Sequence, residues 1–105
     1  MSKKITSDNF QTEVLSSDKP ILVDFFSTTC GPCMMLSPIL EELSQTETAY
    51  YIGKVNIEED MPLAIKYSVG VVPTLLLFQN GECVKRLEGF HSKEQLTDIM
   101  KGVVG

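Results

Sequence analysis

Residues 21–43 read ILVDFFSTTCGPCMMLSPILEEL. The first six are apolar except for Asp24, the pattern of a strand buried on both faces, with Asp24 sharing a side with Leu22 and Phe26. From Pro32 the apolar residues Met35, Leu36, Ile39, Leu40 and Leu43 recur at helical spacing, while Glu41, Glu42 and Ser44 fall elsewhere. Cys30-Gly31-Pro32-Cys33 lies where the first period gives way to the second. A C-x-x-C pair at such a strand-to-helix turn points to thiol redox chemistry. Pro38 falls inside the helix, where it removes a backbone hydrogen bond and is expected to bend the axis.

Working outward, Lys4-Ile5 reads as a short edge strand. Thr6, Ser7 and Asp8 offer N-caps to a helix bearing Phe10, Val14 and Leu15. Residues Tyr50 to Ile57 are β-rich, with Lys54 in a largely apolar run. Asp60 caps a short helix that tolerates Pro62 in its first turn and runs through Tyr67. Asn80-Gly81 between the strands 74–78 and 83–87 is a strong hairpin signal. Ser92 and Gln95 form a capping box for a last helix carrying Leu96, Ile99, Met100 and Val103, ending near residues 102–105. The order β-α-β-α-β-α-β-β-α predicts an α/β fold. Parallel strands joined by right-handed crossovers, with a late antiparallel hairpin, make a central mixed sheet covered by helices on both faces.

The whole chain, 105 residues with 43% hydrophobic and 22% charged, fits one domain over 1–105 with a single core. A net charge of -5 with scattered bases argues against nucleic acid or anionic membrane as a partner. Three cysteines, two of them within one turn, do not make the disulfide framework of a small secreted domain. The N-terminus lacks the apolar segment of a signal peptide, and no apolar run approaches the roughly 20 residues of a membrane-spanning helix. A cytoplasmic monomer is the expectation.

If Cys30 caps the helix, its sulfur faces the unpaired amides of the first turn and the positive end of the helix dipole. Both favour thiolate. No charged side chain occurs between Phe26 and Glu41, so the helix end must act almost alone. It supplies up to about 2 kcal/mol, and a moderate lowering of the thiol pKa is expected. Cys33, one turn inside, would be the more buried, resolving thiol. Asp24 is its candidate proton acceptor, since burial raises a carboxyl pKa toward the useful range. The other reading of Asp24 is a strand-end carboxylate satisfied by backbone amides.

On pattern alone Lys54 reaches solvent from a strand face, with pairing to Asp24 as the alternative. Cys83 reads as a packing residue, with a regulatory or dimer-forming thiol as the alternative, His91 as a loop residue without a partner in sequence, and Met34-Met35 as core and surface filler. A zinc site would have only Cys83 and His91 to complete it, too few soft ligands.

These residues, with the run VVPTLLLFQNGE and the segment LEGF, resemble the thioredoxin family along nearly the whole chain and in the same order. The resemblance implies the thioredoxin fold with a five-stranded sheet, and dithiol reduction of protein disulfides without a bound cofactor. It further implies NADPH-linked thioredoxin reductase as the regenerating partner. It would make Cys30 the nucleophile, Cys33 the resolving thiol, Asp24 the proton acceptor, Lys54 its buried neighbour and Pro73 a cis proline facing the dithiol. Thr29, Gly31, Pro32, Val72, Gly89 and Phe90 would line the substrate surface, Val72 through backbone pairing with a substrate strand. The sequence departs from the family where Trp is usual, with Phe26 and Thr29, and after the second cysteine, with Met34 in place of Lys. The alternatives to a reductase are a binding module whose dithiol is dispensable, and an oxidant or isomerase.

Overall fold

The strand Ile21–Phe26 (β2) lies at the centre of a five-stranded sheet, and its neighbours set the positions of all the others. The structure, a computed structural model, describes residues 2–104; the expected domain ends at 1 and 105 lie outside them. In chain order the elements are β1 (Lys3–Lys4), a π-helical segment (Gln11–Leu15), β2, α1 (Gly31–Thr46), β3 (Tyr51–Asn56), α2 (Met61–Lys66), β4 (Thr74–Gln79), β5 (Glu82–Glu88) and α3 (Lys93–Val104). The sheet order is β1-β3-β2-β4-β5. β3 runs parallel to both β1 and β2, while β4 is antiparallel to β2 and β5. This is the predicted mixed sheet.

Strand alternation divides the core. Ile21, Val23 and Phe25 join Phe10, Val14, Val55, Leu63, Leu76 and Phe78 on the side of the π segment and α2. On the other side Leu22, Ile52, Leu75 and Leu77 meet Leu36, Leu40 and Leu43 of α1 and Leu96 and Met100 of α3. Each such side chain, fully buried, contributes about 1.5–3 kcal/mol. Asp24 lies on the α1 side of β2, in register with Lys54 on β3 and Leu75 on β4. A carboxyl is therefore buried on an apolar face of the sheet with a lysine beside it.

The local signals perform as physics requires at most joints. Asn80 and Gly81 take φ values of 54° and 82°, the doubly positive turn that an Asn-Gly hairpin supplies. Ser92 Oγ accepts from the Gln95 amide at 3.1 Å and Gln95 Oε1 accepts from the Ser92 amide at 2.9 Å, closing the capping box. Asp60 Oδ1 caps α2 by accepting from Leu63 N at 3.2 Å.

Three expectations are corrected. The first helix is a π-helical turn without a side-chain cap. Ser7, an expected cap, donates both its amide and its hydroxyl to Asp60, at 2.6 and 2.7 Å. Met35 is 63% exposed, because the buried stripe of α1 runs through Cys33, Leu36, Leu40 and Leu43 and leaves residue 35 on the opposite side. Cys83 is a free, exposed thiol, because β5 is an outer strand whose residues are mostly exposed.

Candidate active site

Helix α1 begins at the cysteine turn, and Cys30 is its N-cap residue, with extended backbone at φ −95°, ψ 115°. Its Sγ accepts from the Cys33 amide at 3.2 Å, which meets one of the unpaired donors that every helix start leaves. Pro32 occupies the first turn, where a missing N–H costs nothing. The two cysteines are joined as a disulfide with Cα atoms 5.2 Å apart. Cys30 is half-buried, whereas Cys33 is 2% exposed.

The loop leading into Cys30 is held from the neighbouring strand. Because β2 and β3 are parallel and pair Phe26 with Asn56, the residues just beyond both strands emerge side by side. Glu58 Oε1 accepts from Thr28 N at 2.8 Å, Thr28 Oγ1 at 2.6 Å and Ser27 Oγ at 3.3 Å. The hydrogen bonds from the Thr28 hydroxyl and amide hold the Glu58 carboxyl below its usual range. Ser27 Oγ also lies 3.1 Å from Thr29 Oγ1. A hydroxyl and carboxylate network thus occupies the approach to the dithiol.

On the far side lies the segment before β4. The Val72–Pro73 peptide bond is cis, and Val72 O lies 3.6 Å from Cys30 Sγ. Thr74 Oγ1 donates to Val71 O at 2.6 Å and Gly89 N to Pro73 O at 2.8 Å, fixing the segment from both sides. Gly89 has φ 87°, a backbone conformation that suits glycine. Thr29, Gly31, Pro32 and Phe90 are exposed around this turn, Val72 and Gly89 half-buried. Met34 adds an apolar side chain at 56% exposure.

Beneath the turn Asp24 is fully buried, and neither carboxylate oxygen has a hydrogen-bond partner. The reading in which backbone amides satisfy it is therefore overturned. Burial pushes its pKa up to about 7, with the positive charge of Lys54 pulling the other way. Lys54 is half-buried and forms no ion pair with Asp24. Its Nζ donates to Ser37 Oγ on α1 at 2.7 Å and lies 4.8 Å from the centre of the Phe26 ring. Phe26 thus supplies an apolar face to the ammonium.

Ser27, Ser37 and Glu58 were not anticipated from sequence. Glu58 was readable only through register, as the residue two beyond Asn56, and Ser37 carried no signal. His91 Nδ1 lies 3.1 Å from Gly89 O. Among the described residues no group of three or more His, Cys, Asp or Glu side chains is gathered as metal ligands. Cavities of about 230, 330 and 220 Å³ occur elsewhere, and none has Cys30, Cys33, Val72 or Pro73 in its walls. The dithiol is flanked by the exposed residues Thr29, Gly31, Pro32 and Phe90.

A family model described as Thioredoxin matches residues 1–102. A thioredoxin of Chlamydia pneumoniae is 45% identical over 100 residues, covering 95% of this chain and 96% of that one. A thioredoxin of Rickettsia bellii is 41% identical over 99 residues, covering 93% and 94%. A bifunctional thioredoxin reductase/thioredoxin of Mycobacterium leprae is 39% identical over 102 residues, which cover 96% of this chain and 22% of that longer protein.

Proposed function

The chain belongs to the thioredoxin family, and from that premise we propose how its residues divide the work of reducing a disulfide. It is a thiol-disulfide oxidoreductase that reduces protein disulfides through the Cys30–Cys33 pair. In the reduced form Cys30 acts as nucleophile. Its thiolate attacks one sulfur of the partner disulfide, forming a mixed disulfide and expelling the other partner sulfur as a thiolate that takes up a proton. Asp24 then accepts the proton of Cys33, and the Cys33 thiolate attacks Cys30 Sγ. The second partner thiolate leaves and is protonated, and the dithiol has delivered two electrons and become the Cys30–Cys33 disulfide.

The observation that carries this assignment is the Cys33 amide pointing at Cys30 Sγ from 3.2 Å, while Cys33 itself is buried. One sulfur is set for attack and the other withheld until the mixed disulfide forms. Cis Pro73 places the Val72 carbonyl beside Cys30, and Thr29, Gly31, Pro32, Gly89 and Phe90 complete the surface on which the partner's backbone lies. Lys54 is the cationic neighbour that limits how far the Asp24 pKa rises.

Regeneration falls to a thioredoxin reductase, NADPH-linked in this proposal. The Mycobacterium leprae relative, named for both activities in one chain, supports such a pairing. Residues 1–105 form one thioredoxin domain acting as a cytoplasmic monomer without a bound cofactor. Among the described residues no helix is long and apolar enough to cross a membrane.

Insulin reduction with dithiothreitol as electron source tests the roles. Cys30→Ser abolishes the stimulated rate, and Cys33→Ser traps covalent mixed disulfides. An unchanged rate in Cys30→Ser refutes the mechanism, and a cellular activity that survives replacement of both cysteines by serine favours a binding module instead.

A further inference from the structure

Lys54 and Asp24 are neighbours in register on adjacent parallel strands, and both face α1. A flexible lysine stem in that position reaches a carboxylate readily, yet no ion pair forms and both Asp24 oxygens are left without a partner. The ammonium is drawn to Ser37 Oγ at 2.7 Å, with the Phe26 ring packed beneath it. Ser37 lies one turn beyond Cys33 on the same helix. The helix that carries the buried thiol therefore also carries the group that holds the lysine.

We propose that Ser37 is a positioning residue: its hydroxyl anchors the Lys54 ammonium away from Asp24 and keeps that carboxylate free to take the Cys33 proton. This rests on the role of Asp24 proposed above. A direct ion pair would hold Asp24 ionised and weaken it as a base. With the ammonium held off, the carboxyl stays in the range where it exchanges protons near neutrality. The groups around Asp24 are few. β3 contributes Lys54, α1 contributes Cys33 and the neutral Ser37, β4 contributes Leu75, and α3 adds Leu96 and Met100 to the same side of the sheet. Lys54 is the charge that acts on it.

The test is the titration of the Asp24 carboxyl carbon by NMR in the oxidised protein, which needs no turnover. In Ser37→Ala the ammonium moves to Asp24 and the midpoint falls by about one pH unit. Ser37→Thr keeps the hydroxyl and the original midpoint. In a Lys54→Met background, Ser37→Ala changes nothing, because the coupling runs through the lysine. Ser37→Cys, a weaker acceptor of similar volume, moves the midpoint the same way by less and serves if the alanine variant does not fold. An unchanged or raised midpoint in Ser37→Ala overturns the proposal, as does an equal shift in the Lys54→Met background. A midpoint that falls while the pH dependence of insulin reduction stays fixed supports the anchoring by Ser37 and refutes Asp24 as proton acceptor, so the two ideas fail separately.

Discussion

Replacing Asp24 by alanine makes the oxidised protein more stable at alkaline pH and leaves it nearly unchanged or slightly weaker in acid. Burial raises the carboxyl pKa from 3.8 to about 7, so the folded state holds a proton that the unfolded chain releases. Stability linked to this group is fully present below pH 3.8, declines as pH rises, and is lost above about pH 7. A shift of about three units at about 1.4 kcal/mol per unit makes the full effect about 4 kcal/mol. Removing the side chain gives back that amount at pH 8.5, less about 1 kcal/mol for lost packing. At pH 4 only the packing loss remains. Urea denaturation of both proteins at pH 4, 5.5, 7 and 8.5 measures the difference, and titrations elsewhere cancel between them. A difference that does not vary with pH, or one that favours the wild type as pH rises, refutes the account of Asp24 as a carboxyl held protonated by burial.

Two further outcomes follow from hydrogen bonds that cross the chain. Glu58→Ala removes the acceptor shared by Ser27 and Thr28, and amide exchange at Thr28 accelerates while the strands keep their protection. In the wild type the same loosening develops as pH falls through the lowered Glu58 pKa, since the ionised form makes the stabilising bonds; an exchange rate identical in the two proteins at neutral pH contradicts this. Asp60→Ala takes the cap from α2 and strands the Ser7 amide, with a loss of about 2 kcal/mol in urea unfolding at pH 7, and a loss below about 0.5 kcal/mol shows that water replaces these bonds.

Much of the fold was legible because its joints carry local chemistry. The change of period at Cys30, the Asn80-Gly81 turn and the Ser92–Gln95 box each act within a few residues, so sequence displays them directly. What could not be read depends on partners distant in the chain. Ser7 looks like a cap until Asp60, 53 residues away, takes its donors. Lys54 sits in an apolar run and, half-buried, binds Ser37 on α1 rather than Asp24. Met35 matched the helical period, yet the stripe includes Cys33, and a cysteine in a C-x-x-C pair is easily excluded from a count of apolar positions. Cys83 reads as packing because an outer strand resembles an inner one until the strand order is known. In the site, the burial of Asp24 was readable from its apolar neighbours, but its want of any hydrogen-bond partner was not.

The antiparallel placement of β4 against β2 has a consequence for how the molecule can be handled. It directs the start of β4, with Pro73 just before it, to the sheet end where the cysteine turn emerges, and it sends the Asn80-Gly81 turn to the opposite end. Gly81 there lies against Leu15 O, beside the segment that leads into β2. The sheet thus carries the dithiol at one pole and, at the other, the Asn80-Gly81 turn with the exposed Cys83 thiol two residues beyond it. A tag, tether or immobilising linkage placed at that turn leaves the dithiol facing outward, and thiol-directed labelling there reaches Cys83 as well.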